Sequence, residues 1–142
     1  MKSTDVLMPA KGMQLIEDEI DARLTLHRLW LEPKPDLWLQ EWAPKLRAIA
    51  MTGAHAPIDE AYMRRFPNLE IISSFGVGYD NIDAKAAGRL GIIVTNTPGV
   101  LDEEVADTAL GLMIMTVRRL PQAERHLRAG LWAAKGAYPL SP

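Results

Sequence analysis

Five short runs rich in Val, Ile and Leu recur along the chain, each separated from the next by a helix-length segment. They lie at Val6 to Met8, Leu24 to Trp30, Ala48 to Thr52, Leu69 to Ser74 and Ile92 to Thr95. Runs of this length and composition suit buried strands, and their alternation with helical stretches predicts an α/β chain built on a parallel sheet. Ile16, Ile20 and Leu24 keep helical spacing in the first intervening segment, and Tyr62, Met63 and Phe66 do so ahead of Pro67-Asn68.

Beyond the fifth run the character changes. Thr97-Pro98-Gly99 is a turn signal, and Asp102 to Leu120 predicts one long apolar helix. Asp102 suits its N-cap. Glu103, Glu104 and Asp107 complement the positive end of the helix dipole, Arg118 and Arg119 the negative end, and Pro121 discourages continuation. Val105, Ala109, Leu112 and Val117 make this helix apolar around most of its circumference, so burial on more than one side is expected. A short helix from Gln122 to Ala129 follows, and Leu131 to Pro142 reads as an exposed connection without periodicity. The division expected is a substrate domain over 1–98, hinge and dimerisation helices over 99–132, and a linker over 133–142.

A formal charge of -2 over 142 residues, with no cluster of four or more Lys or Arg, gives nucleic acid and anionic membrane no basic field to bind. Without cysteine there is no disulfide, thiolate metal site or thiol nucleophile. The start, MKSTDVLMPA, lacks the apolar core of a signal peptide, and the apolar stretch from Ala109 to Val117 is too short to span a bilayer. The expectation is a cytoplasmic protein with no membrane, nucleic-acid or metal partner.

Ligands collect beyond the carboxyl ends of parallel strands, so the loops after each strand carry the chemistry. Gly76 and Gly78, in Ser73-Ser74-Phe75-Gly76-Val77-Gly78-Tyr79-Asp80-Asn81-Ile82-Asp83, allow backbone N–H groups to converge and a carboxylate to approach the main chain. The spacing is equally compatible with a tight turn in which Asp83 caps the helix from Ala84 to Leu90. Thr52-Gly53-Ala54-His55 is a second candidate, although His55 has no carboxylate partner that can be placed from sequence, and His27 and His126 have less claim. No Gly-x-Gly-x-x-Gly turn for a dinucleotide occurs, since Asn81 stands where the third glycine would, and there is no Walker loop or Gly-x-Ser-x-Gly elbow.

Taken together, the segment Asn68 to Asp83, Gly91-Ile-Ile-Val-Thr-Asn-Thr-Pro-Gly-Val100 and Glu104-Val-Ala-Asp-Thr-Ala-Leu-Gly111 resemble the amino-terminal third of the D-2-hydroxyacid dehydrogenases. The resemblance covers essentially all of residues 1–142, most strongly 68–132, and is closest to glyoxylate, hydroxypyruvate and hydroxyphenylpyruvate reductases. It implies a flavodoxin-like parallel sheet with flanking helices as the substrate domain, a long hinge helix, and a Rossmann nucleotide domain outside these residues. It implies NAD(P)H-dependent reduction of a small 2-keto acid to the D-2-hydroxy acid, with NADPH or NADH as cofactor. The substrate contacts it implies are Thr52, Gly53, Gly76, Val77 and Gly78, and the cofactor contacts Val77 and Thr108. Many members carry Arg where Thr52 stands, which removes that side-chain grip here. The family's catalytic Arg, acidic residue and His map onto nothing in residues 1–142, so this chain alone is expected to be inactive. The helix over 102–120 is expected to support a homodimer.

Two other classes remain open at this stage. One is a stand-alone flavodoxin-like ligand-binding module, though a phosphoacceptor would want an acidic cluster where Asp5 is alone and Pro9 follows. The other is an interaction protein organised around the apolar helix.

Overall fold

The computed structural model describes residues 4–52 and 57–139. The chain divides into two compact units, Met1–Val100 and Leu101–Pro142. In the first, strands β1 (Asp5–Met8), β2 (Thr25–Arg28), β3 (Ala48–Thr52), β4 (Ile71–Phe75) and β5 (Ile93–Thr95) alternate with helices α1 (Gln14–Arg23), α2 (Pro35–Trp42), α3 (Glu60–Met63) and α4 (Ala84–Arg89). All pairings are parallel, and the sheet order is β2-β1-β3-β4-β5, the flavodoxin-like arrangement. Val6 lies opposite Leu26 on one side and Ala48 on the other, Ile49 opposite Ile72, and Ile72 opposite Val94. The five predicted strands are therefore present, the second ending at Arg28 because Leu29–Leu31 winds into a single 3-10 turn.

The two-residue period of the strands sorts the core into two layers. Leu7, Ile49, Met51 and Ile72 join Leu39, Leu46, Met63, Phe66 and Ala87 on one face. Val6, Met8, Leu26 and Ala50 meet Ile16, Ile20 and Leu24 on the other. That second layer ends at β3. On β4 and β5, Ser73, Phe75, Ile93 and Thr95 are exposed, with Thr95 Oγ1 donating to Ser73 Oγ at 3.1 Å.

His27 is structural. Its Nε2 lies 2.7 Å from Asp5 Oδ1, and its ring packs against Trp38 and Trp42, which are themselves stacked. Asp5 is thereby occupied in seating α2 against the sheet edge. Asp59 caps α3 and Asp83 caps α4 through their side chains, and Glu60 joins the two helices by accepting hydrogen bonds from Arg64 and Arg89.

The second unit holds α5 (Asp102–Val117), α6 (Leu120–Arg128) and α7 (Leu131–Lys135). Four sequence expectations change here. The residue at the N-cap of α5 is Leu101, without a side-chain cap bond, and Asp102 sits in the first turn, where its charge still faces the helix dipole. The helix stops at Val117, short of Leu120, because Arg119 adopts the left-handed conformation with φ 53°; Pro121 then falls in the first turn of α6, where its missing N–H costs nothing. Leu131–Lys135 is helical rather than an irregular connection, a five-residue stretch too short to display a period and bounded by Gly130 and Gly136, both at positive φ. No residue of α5 is buried, contrary to the burial its apolar circumference suggests, and Val105, Leu112, Met113 and Val117 are exposed. Among the described residues no helix is long and apolar enough to cross a membrane.

Hydrogen bonds from Arg89, and then from Arg64, hold the Glu60 carboxyl below its ordinary value of 4.5. A depressed carboxyl stabilises the fold above the unfolded value and loses that contribution as pH falls through the folded one. Chemical unfolding of the chain from neutral pH down to about pH 3 should thus show a shallower acid loss in Glu60→Gln than in the parent. Identical acid profiles would remove Glu60 from the acid response.

Candidate functional site

Because every strand runs the same way, β1, β3, β4 and β5 deliver their carboxyl ends to one edge of the sheet. The glycine loop leaves β4 at Phe75. Its carbonyls are tied down from the segment after β5: Thr97 N–H donates to Gly76 O at 3.0 Å, and Asn96 Nδ2 donates to Val77 O at 2.8 Å. At its far end Ile58 N–H donates to Asn81 O at 2.7 Å and Asp83 N–H to Ile58 O at 3.0 Å. The N–H groups of Gly76, Val77 and Gly78 have no acceptor among the described residues. A loop fixed through its carbonyls with its donors left over has the layout of an anion cradle.

The glycines separate the two readings of this loop. Gly91, Gly99, Gly130 and Gly136 have positive φ, and Gly76 and Gly78 do not. A Cβ on Gly76 would find nothing nearer than Gly78 O at 3.6 Å, and one on Gly78 nothing nearer than Asp80 Oδ2 at 3.4 Å. Neither backbone conformation nor internal packing therefore demands glycine. What the missing side chains allow is close approach of a ligand to the main chain. Asp83 also caps α4, accepting from Ala86 N–H at 2.9 Å, so the turn and the cradle coexist.

A second feature lies at the switch point, where the chain leaves β1 for β2 on one side and later returns to β3 on the other. Lys11, Gly12, Met13, Thr52 and Phe75 line a crevice of about 390 Å³. Thr52 is only 8% exposed, and its hydroxyl has no hydrogen-bond partner among the described residues. Gly12 lies directly on it: a Cβ there would overlap Thr52 Oγ1, with Thr52 Cγ2 at 2.9 Å and Met8 Cε at 2.8 Å. Here glycine is demanded by close approach.

The buried carboxylate of Glu17 in α1 holds this loop. It accepts Gly12 N–H at 3.3 Å and Arg28 Nε–H at 2.9 Å, and that bond keeps the Arg28 guanidinium more firmly protonated than usual. The loop after β1 is absent from the sequence-derived candidates. The signal available was Gly12 itself, a glycine directly beyond a predicted strand.

Of the other candidates, Gly53 and His55 lie outside the described residues. His126 is on α6, with Nε2 2.8 Å from Gly136 O, and packs edge-on against Tyr138. Thr108 belongs to the second unit, where it lines an apolar crevice of about 350 Å³ with Leu101, Val105, Ala109 and Leu112.

Residues 4–138 match the catalytic domain of the D-isomer specific 2-hydroxyacid dehydrogenases. Over 132 residues the chain is 41% identical to a glyoxylate/hydroxypyruvate reductase of Arabidopsis thaliana, covering 93% of this chain and 42% of that protein. It is 36% identical to a hydroxyphenylpyruvate reductase of Plectranthus scutellarioides, with the same coverage. Among solved structures, an NADPH-dependent glyoxylate/hydroxypyruvate reductase of Sinorhizobium meliloti, in complex with NADP and malonate, superposes with a TM-score of 0.76 at 38% identity. That match covers 98% of this chain and 42% of the other. The chain thus spans about two fifths of the length of the curated relatives it matches.

The close approach of Gly12 to Thr52 yields a stability test. Gly12→Ala should destabilise the chain by about 1–3 kcal/mol through overpacking. Much of that loss should disappear when Thr52→Ala is added, which removes two of the three crowding atoms and leaves only Met8 Cε, the end of a flexible side chain. Unfolding midpoints for the single and double variants that show no coupling would mean that the loop relaxes without engaging Thr52.

Proposed function

Given that the chain belongs to the D-isomer specific 2-hydroxyacid dehydrogenase family, we propose that the N–H groups of Gly76, Val77 and Gly78 hold the carboxylate of a small 2-keto acid of the glyoxylate or hydroxypyruvate type. In this reading the whole protein reduces that acid to the D-2-hydroxy acid. The observation that carries the proposal is the unused donor set of the loop, over glycines that neither conformation nor packing requires.

We assign Thr52 and Gly53 as further substrate contacts on the strength of the resemblance, Gly53 lying outside the described residues, and the malonate bound by the Sinorhizobium meliloti relative supports a small carboxylate as the guest. The chemistry of hydride supply belongs to NADPH or NADH. We assign Val77 and Thr108 as the cofactor contacts of this chain, supported by the resemblance and by the NADP complex of the same relative. Residues 1–142 contain no Gly-x-Gly-x-x-Gly, so they hold no pyrophosphate cradle of that kind, and no catalytic acid, base or carbonyl-polarising group is assigned among them. The role of this chain is to grip and orient. Its exposed apolar α5, within the 102–120 segment, supports a homodimer in the whole protein.

Titrating the isotopically labelled chain with glyoxylate or hydroxypyruvate, the amide resonances of Gly76, Val77 and Gly78 should move first and furthest. Gly76→Ala should unfold at nearly the parent midpoint, since its Cβ meets only ordinary contacts, while weakening this binding about tenfold or more by filling the approach. Amides at 76–78 that stay still in the presence of either acid would overturn the proposal.

A further inference from the structure

The crevice at the switch point extends beyond what a two-carbon acid held at the glycine loop can fill. It opens next to that loop, since Phe75 immediately precedes Gly76, and continues past Thr52 at the end of β3 to Lys11, Gly12 and Met13 beyond β1. Its volume of about 390 Å³ leaves room for an acid longer than two carbons.

Its far end carries one cationic side chain on a loop that is held in place. Lys11 is exposed at the crevice and forms no ion pair among the described residues. The nearby acid that could neutralise it, Glu17, is buried and taken up by Gly12 N–H and Arg28. Asp21, the other acid of this cluster, also faces Arg28, at 3.3 Å. Between the two ends stands Thr52, more than nine-tenths buried, with a hydroxyl that has no partner among the described residues. Met13 and Phe75 supply apolar walls on the way.

Resting on the reading of the glycine loop as the grip on the keto-acid carboxylate, we propose that Lys11 is a specificity-determining residue. It pairs with a second anionic group at the far end of the substrate, so the site favours 2-keto diacids over 2-keto acids with an apolar tail. Adjacent strands are about 4.8 Å apart, so the ends of β4 and β1, two strands apart in the sheet, are separated by roughly 10 Å. An extended five-carbon diacid and the flexible four-carbon stem of Lys11 together cross that distance. The Glu17 bond to Gly12 N–H keeps the lysine at the crevice rim.

The test compares 2-oxoglutarate with 2-oxopentanoate, equal in chain length and differing in the distal carboxylate, by amide-shift titration of the chain. The parent should bind 2-oxoglutarate about fivefold more tightly, with Gly12 and Met13 amides moving together with those of Gly76–Gly78. Lys11→Met should abolish this preference, leaving 2-oxopentanoate affinity unchanged, while Lys11→Arg should retain it. Raising salt should shrink the preference in the parent. If both acids move the 76–78 amides but bind equally well, or if the preference survives Lys11→Met, the assignment of Lys11 is overturned and the glycine-loop reading stands. If neither acid moves those amides, both readings fall together.

Discussion

Parallel pairing of β1 with β2 on one side and β3 on the other decides where every loop of chemical interest ends up. A parallel strand must return by a crossover, so each connection passes through a helix and each strand delivers its carboxyl end to the same edge. The winding direction reverses at β1, and the crevice lined by Lys11, Gly12 and Thr52 lies at that switch point. The glycine loop after β4 is one strand further on. Its shape depends in turn on β5, whose following residues Asn96 and Thr97 hold the carbonyls of Val77 and Gly76. Backbone pairing thus converts residues far apart in sequence into neighbours at one edge, and the donor set is left over from that arrangement.

Much of this was legible in the residues because the signals were local. A strand such as Ala48–Thr52 declares itself by its own apolar run, and Asp83 by its position three residues ahead of the N–H it caps. The glycine loop was legible as a candidate, yet its meaning was not. Deciding between turn and cradle required the dihedral angles of Gly76 and Gly78 and the space around them. The wall beyond β1 was illegible for a different reason. Gly12 matters because Thr52, forty residues away, presses against it, and Glu17 matters because it joins Gly12 to Arg28 across two elements. No window along the chain contains those contacts. The end of α5 at Val117 was hidden similarly, since nothing about arginine announces a left-handed residue at 119.

The apolar surface that remains open is the feature least compatible with residues 1–142 existing without a covering partner. An open parallel sheet normally buries both faces, yet Phe75 and Ile93 on β4 and β5 are exposed, and so are Val105, Leu112, Met113 and Val117 on α5. Full burial of one such side chain is worth about 1.5–3 kcal/mol, against a net stability for an ordinary domain of only about 5–15 kcal/mol. Covering even a few of these residues would therefore shift the stability of the chain by an amount comparable to the whole. The same bookkeeping bears on function. A carboxylate at the glycine loop beside a bare sheet face remains in contact with water, where a backbone hydrogen bond contributes little net free energy; in a water-excluded setting the same three donors count for far more. Whatever covers these faces thus strengthens the fold and the grip of Gly76, Val77 and Gly78 through one physical change, the removal of water.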